Sequence, residues 1–210
     1  IDPNHPFIHY NMAHSYDKLN RPQAAISEFT LALKTKPGWL DALRDLAVLY
    51  SRQQDEANCI ATLRRILAVD PGETRALLEM GTIAARKGHD DEAQSYFRKA
   101  INSDSSNVHA VLALVQLFEK QGNTDDALAE LLALRENNPG NVDILLHLAR
   151  FYLKTQDYAE DRAIFRELER LVPENITMLR LKGRMHAQLG ENEEAELCFA
   201  RILAIDPGEI

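Results

Sequence analysis

Residues 40–73 read LDALRDLAVLYSRQQDEANCIATLRRILAVDPGE, and this stretch decides the fold. Two apolar patterns with helical spacing flank a polar turn at Gln54, and the unit stops at Pro71. Its stop recurs at a fixed interval of 34 residues: Pro3, Pro37, Pro71, Ser105 in place of proline, Pro139, Pro173 and Pro207. Six such units, 6–39, 40–73, 74–107, 108–141, 142–175 and 176–209, account for nearly all of the 210 residues. A unit of this size cannot bury its apolar faces alone, so neighbours must stack on one another. The spacing predicts an all-α solenoid of helix-turn-helix repeats forming one domain over 1–210.

Within each unit the first helix carries a large apolar residue followed by a small one: Met12-Ala13, Leu46-Ala47, Met80-Gly81, Leu114-Val115 and Leu148-Ala149. The small residue lets a second helix come close. A mostly aromatic column follows four residues after the large one, at Tyr16, Tyr50, Ala84, Phe118, Tyr152 and His186. The turn holds Gly88, Gly122 and Gly190, or Asn20, Gln54 and Gln156, as the left-handed or helix-ending residue. Second helices open with acids such as Asp90-Asp91-Glu92, Asp125-Asp126 and Glu193-Glu194, which suit the positive end of the helix dipole. They then repeat a small residue at Ala25, Cys59, Ala93, Ala127 and Ala195, with a bulky one four later at Phe29, Leu63, Phe97, Leu131, Phe165 and Phe199.

These columns together resemble the tetratricopeptide repeat over nearly the whole chain. The departures are Ser105 and the lack of an early tryptophan, the single Trp being Trp39 in a turn. The resemblance implies a right-handed superhelical αα-solenoid whose first helices line a concave groove that holds extended peptides or partner helices. It also allows two known binding modes to be examined residue by residue. The basic clamp that co-chaperones of this family use for a C-terminal carboxylate has Tyr10, His14 and Asp45 at its places here, and the asparagine ladder continues from Asn11 only as Asp45, Glu79, Ala113, His147 and Leu181. Neither mode transfers.

The totals narrow the function. Lys plus Arg number 24 against 32 Asp plus Glu, a net charge of −8 that argues against a nucleic-acid binder. Cys59 and Cys198 are too far apart in a stacked array to bridge and are expected to be small buried residues. No run is long enough to cross a bilayer, so no membrane insertion is expected. His5, His9 and His14 lie near one another in sequence, but His5 falls in a turn and the five-residue step from His9 to His14 splays around a helix, so no metal site is expected. There is no glycine-rich phosphate loop, nucleophile elbow or paired Cys and His, which points to a non-enzyme with no catalytic residues and no cofactor.

The expected groove face carries a different balance. Its residues are Phe7, Tyr10, His14, Asp17 and Lys18, then Asp41, Arg44, Val48, Ser51 and Arg52, then Arg75, Leu78, Thr82, Ala85 and Arg86. It continues with His109, Leu112, Gln116, Glu119 and Lys120, then Asp143, Leu146, Arg150, Leu153 and Lys154, then Thr177, Arg180, Arg184, Ala187 and Gln188. Ten of these are Lys or Arg and four are Asp or Glu, so the face is +6 and the remainder −14. A basic face with a leucine at one phase (Leu78, Leu112, Leu146) suits an extended, acidic or polar protein segment. The alternative is that long basic side chains solvate an open surface while the leucines fill space between first helices. Other expectations are an accessory domain of a larger enzyme or of a secretion or exopolysaccharide machine, such as a glycosyltransferase, and a self-assembly module.

The ends and one joint add to these expectations. The chain opens with Ile1-Asp2-Pro3 and closes with Ile205-Asp206-Pro207, the same phase of the repeat, and the last helix is apolar beyond one stripe. This predicts a piece of a longer array, or an end covered by another copy as a homo-oligomer. Asp161 breaks the Ala and Cys column, and Lys182 breaks the large apolar column one unit later. The two are expected to pair across the joint, unless Asp161 reaches water beside Arg162.

Overall fold

The computed structural model describes residues 5–208, so Pro3 and the opening Ile1-Asp2 lie outside the described residues. Helices occupy each unit in pairs. They are α1 (Pro6–Lys18), α2 (Pro22–Thr35), α3 (Leu40–Arg52), α4 (Glu56–Val69), α5 (Thr74–Arg86) and α6 (Asp90–Ser103). Then follow α7 (Val108–Gln121), α8 (Thr124–Asn137), α9 (Val142–Thr155), α10 (Tyr158–Leu171), α11 (Ile176–Leu189) and α12 (Asn192–Ile205). Among the described residues there is no strand, and the fold is an all-α solenoid.

Local chemistry explains the boundaries. Each described proline of the series lies two residues beyond the end of a second helix, where its ring and missing N–H prevent continuation. At Ser105 the stop survives without proline because Asp104 accepts hydrogen bonds from the Ser106 backbone N–H and hydroxyl at 3.1 and 2.7 Å. Asp70 and Asp206 make the same turn by accepting from Gly72 and Gly208. The next helix is started by side-chain caps: Glu73, Asn107, Asn141 and Asn175 accept from backbone N–H groups two or three residues on. Between paired helices all six turn residues named from the sequence adopt the left-handed conformation, from φ 56° at Asn20 to φ 79° at Gly88.

The chain divides into two compact units, residues 1–110 and 111–210. In the first, α1 packs on α2, α3 on α4 and α5 on α6, with Phe29, Leu63 and Phe97 buried between helices whose small residues are Ala13, Ala47 and Gly81. In the second, Leu131 and Phe165 are buried likewise, with Val115 and Ala149 in the small column. Both cysteines are buried free thiols. Phe199 is 39% exposed, whereas its five counterparts are nearly inaccessible, and Leu197, Leu203 and Ile205 are also exposed.

The expected pairing of Asp161 with Lys182 is not found. The Lys182 ammonium donates to Glu169 at 2.5 Å, and neither oxygen of the fully buried Asp161 has a hydrogen-bond partner among the described residues. Lys182 sits at a half-buried position from which its flexible stem carries the charge to the nearer acid on α10, leaving Asp161 enclosed. Nor does Asp161 reach water beside Arg162, whose guanidinium binds Glu191 at 2.5 Å.

A Cβ placed on Gly81 would meet the Phe97 ring at 2.5 Å, and one on Gly183 would meet the Phe199 ring at 2.9 Å. Phe97 is enclosed and cannot retreat, whereas Phe199 is partly open to solvent. Gly81→Ala is therefore expected to lose about 1–3 kcal/mol despite the better helix propensity of alanine. Gly183→Ala is expected to lose clearly less, and denaturant unfolding of the two variants checks the order.

Candidate functional site

In the first unit the expected face begins with aromatic rings. Phe7, half exposed, lies 4.6 Å from Trp39 between ring centroids, and Tyr10 stacks on Trp39 at 4.5 Å. Tyr10 also meets Phe29 and His14 edge-on. The Lys36 ammonium stands 4.9 Å from the Trp39 ring and 5.7 Å from that of Phe7. Trp39 occupies the position at which later repeats place the capping residues Glu73, Asn107, Asn141 and Asn175, and it makes no side-chain cap of its own. A cap exchanged for a buried indole is the signal in the sequence that could have identified this cluster. The Tyr10 hydroxyl donates to Asp45 at 2.9 Å, and His14 reaches the same carboxylate at 3.1 Å.

The basic residues of this face are mostly engaged. Arg44 binds Glu73 at 2.9 Å and Asp41 at 3.1 Å, Arg52 binds Asp17 at 3.0 Å, and Arg86 shares Glu56 with Lys87. Those two cations hold the Glu56 carboxyl below its usual range, Lys87 contributing most. Arg75 is exposed and has no ion pair among the described residues. Between α3 and α5 a cleft opens onto α4. Arg44, Ser51, Arg52, Glu73, Arg75 and Glu79 supply its polar lining, with Ala47, Val48, Leu63, Ile66 and Ala76 below them. A second depression joins Arg75 and Leu78 to Asn107 and His109. Leu78 is half-buried and packs against Leu77, Ala100 and Ala110, so it serves both the core and this surface. Cys59 also lines the cleft, but burial, with the charge of Glu79 second, pushes its thiol up, which disfavours the nucleophilic thiolate.

In the second unit Leu112 and Leu146 are half-buried, and Arg150, Arg180 and Arg184 are exposed. Lys154 binds Glu119 at 3.1 Å, while Arg150 and Arg184 form no ion pair among the described residues. Leu153, expected on the open face, is buried: beside Tyr152 it belongs to the packed side of α9. Burial and the neighbouring Arg150 lower the pKa of His147, favouring its neutral ring. Among the described residues no group of three or more His, Cys, Asp or Glu side chains could hold a metal ion, and no helix is long and apolar enough to cross a membrane.

Sequence alone placed Tyr10, His14 and the arginines on first helices but missed their partners. Glu73, Glu56 and Asp45 lie on other helices or at helix starts, at separations of 29 to 35 residues from the groups they hold. For Tyr10 the consequence is measurable: burial, then the hydrogen bond and charge of Asp45, raise its phenol to about 12 from 10.0. The folded chain keeps that proton after the unfolded chain loses it, so this group's contribution to stability falls as pH rises from about 10 through about 12. Ultraviolet titration is expected to show Tyr10 among the last of the six tyrosines to ionise, and Asp45→Asn to bring its transition closer to the ordinary value.

Family models described as tetratricopeptide repeat match residues 8–38, 84–139, 112–176 and 178–209. No curated protein matches. Among solved structures, the C-terminal part of a repeat-containing protein from Cytophaga hutchinsonii superposes with a TM-score of 0.78 at 15% identity, covering 99% of this chain and 86% of that one. PilW, a type IV pilus biogenesis factor, gives 0.73 at 21% identity over 97% and 94% of the two chains. YrrB, described as a repeat protein with an unusual peptide-binding site, gives 0.63 at 19% identity over 86% and 93%. These likenesses concern the fold. Six helix pairs at a 34-residue interval, family matches along most of the length and these neighbours lead to one conclusion: the chain belongs to the tetratricopeptide repeat family.

Proposed function

We propose that this chain is a non-catalytic scaffold that binds extended acidic segments of partner proteins on its first helices, each unit offering a surface of its own. The observation that carries this is the contrast between engaged and unengaged cations. Arg44, Arg52, Arg86 and Lys154 are committed to acids of the chain, which fixes neighbouring helices, while Arg75, Arg150 and Arg184 project from α5, α9 and α11 without such partners. Exposed guanidinium groups beside half-buried Leu78 and Leu146 suit a segment that alternates carboxylates with apolar side chains. The groups committed to internal ion pairs give shape more than attraction, because their charge is already met. The peptide-binding description of YrrB is consistent with such a role but carries no residue over to this chain.

Self-assembly is a second reading, favoured by Phe199 and Leu203. Phe199 is exposed in a column that other repeats enclose, and Leu203 stands open beside it on α12. Mass that rises with concentration in sedimentation, and is restored to monomer by Phe199→Ser, would support it.

The principal reading is tested by selecting peptides from a random displayed library on the native chain. Enrichment of segments rich in Asp and Glu with interspersed apolar residues is expected. Loss of that binding by tenfold or more is expected in the Arg75→Glu, Arg150→Glu, Arg184→Glu variant with unchanged helicity. Enrichment of basic or neutral segments, or undiminished binding by the variant, contradicts it.

A further inference from the structure

The second unit contains one acid that neither the fold nor the proposed surface uses. Asp161 stands in a column that other repeats fill with Ala25, Cys59, Ala93, Ala127 and Ala195. It is 0% exposed, and both carboxyl oxygens lack hydrogen-bond partners among the described residues. An ionised carboxylate is strongly disfavoured in such a place, whereas the neutral acid is tolerated. The same column suggests what the neutral acid can do. In repeat two the Cys59 thiol donates to the Ala47 carbonyl at 3.6 Å, and Ala149 holds the place of Ala47 in repeat five. A protonated Asp161 has an O–H to offer a carbonyl at that position; an ionised one has only acceptors.

No charge on the adjoining helices compensates it. The helix that carries Asp161, α10, packs against α9 and α11, and two ion pairs tie it to α8 and to the start of α12: Arg135 with Glu167 and Arg162 with Glu191, so those charges are already met. On α9 the titratable and charged groups are Asp143, His147, Arg150, Tyr152 and Lys154, of which Lys154 is bound to Glu119. On α11 they are Arg180, Lys182, Arg184 and His186; Lys182 is bound to Glu169 and His186 to Glu191. The charge that acts on Asp161 is that of Asp157, the N-cap residue of α10 four positions earlier, and it has the same sign.

We propose that Asp161 makes the seating of α10 against α9 and α11 proton-dependent, firm while the acid is neutral and loosened once it ionises. Burial first, and Asp157 second, raise this carboxyl from 3.8 to about 7. The folded chain therefore holds a proton that the unfolded chain has released. Stability declines as pH rises above about 4, and the decline is complete above about 7. Within the folded state the ionised fraction grows through neutrality, so the joint responds to small pH changes there. Arg150 and Arg184 ride on the two helices that clasp α10, so the same proton would adjust the surface they present. That extension rests on the binding role proposed above; the device itself does not.

The test is denaturant unfolding of the native chain, Asp161→Ala and Asp161→Asn across pH 4 to 8, with hydrogen exchange of the α10 amides. Alanine restores the residue of the column, and both variants leave every other titratable group in place, so any slope left in them belongs to those groups. The unfolding constant of the native chain relative to Asp161→Ala is expected to grow about tenfold per pH unit between about 5 and 6.5, level off above about 7 and flatten again below about pH 4. Exchange in α10, corrected for intrinsic rates, is expected to quicken towards pH 8 in the native chain only. Asp161→Asn is expected to flatten the same slope while remaining less stable than Asp161→Ala. Parallel pH profiles for the native chain and Asp161→Ala, or an undiminished slope in Asp161→Asn, would overturn the proposal. No ligand is involved, so failure here leaves the peptide-binding test untouched.

Discussion

Each repeat depends on one close approach: a small residue on its first helix facing a bulky residue on its second. The sizes compensate. Phe97 faces Gly81, where even a methyl group would intrude to 2.5 Å, while Val115, the largest member of the small column, is matched with Leu131 rather than a phenyl ring. Ala13, Ala47 and Ala149 stand between these extremes. Interiors at crystal-like density respond to single methylene changes, so this pairing sets how near the two helices lie. The helix spacing in turn places the next repeat, and with it every side chain on the first-helix face.

Because that geometry is written in column after column, the fold was legible in the sequence. The prolines, the left-handed turn residues and the small and bulky columns are local or strictly periodic signals, and each has a direct physical cause. Ser105 shows how robust the signal is: the missing proline is replaced by an Asp104 turn and the helix still ends on time. Where periodicity was broken, sequence was a poorer guide. Asp161 and Lys182 are adjacent exceptions, and opposite charge made their pairing attractive, yet Lys182 found Glu169 on a turn of helix that no column marks.

The surface was legible as a list of residues but not as an electrostatic state. Counting side chains along first helices gives a strongly basic face, but Glu73 and Glu56 belong to different phases of the repeat and reach across to Arg44 and Arg86. The effective charge is thus concentrated at fewer positions than the sequence suggested, with Lys18 and Arg75 in the first unit and Arg150 and Arg184 in the second. Trp39 was likewise visible as a residue without its meaning, which emerges only when Phe7, Tyr10 and Lys36 are seen around it. Long-range partners of this kind depend on rotamers and on helix spacing, neither of which a periodic pattern specifies.

The most direct measurement of the size-matching claim is a double-mutant cycle at one repeat: Gly81→Ala, Phe97→Leu and the two together, followed by denaturant unfolding. Repeat two already combines alanine with leucine, at Ala47 and Leu63. If close approach governs the packing, the double variant will recover a large part of the stability lost by Gly81→Ala, giving a favourable coupling of about 1 kcal/mol or more. Strictly additive losses would contradict it, showing that the two residues contribute independently.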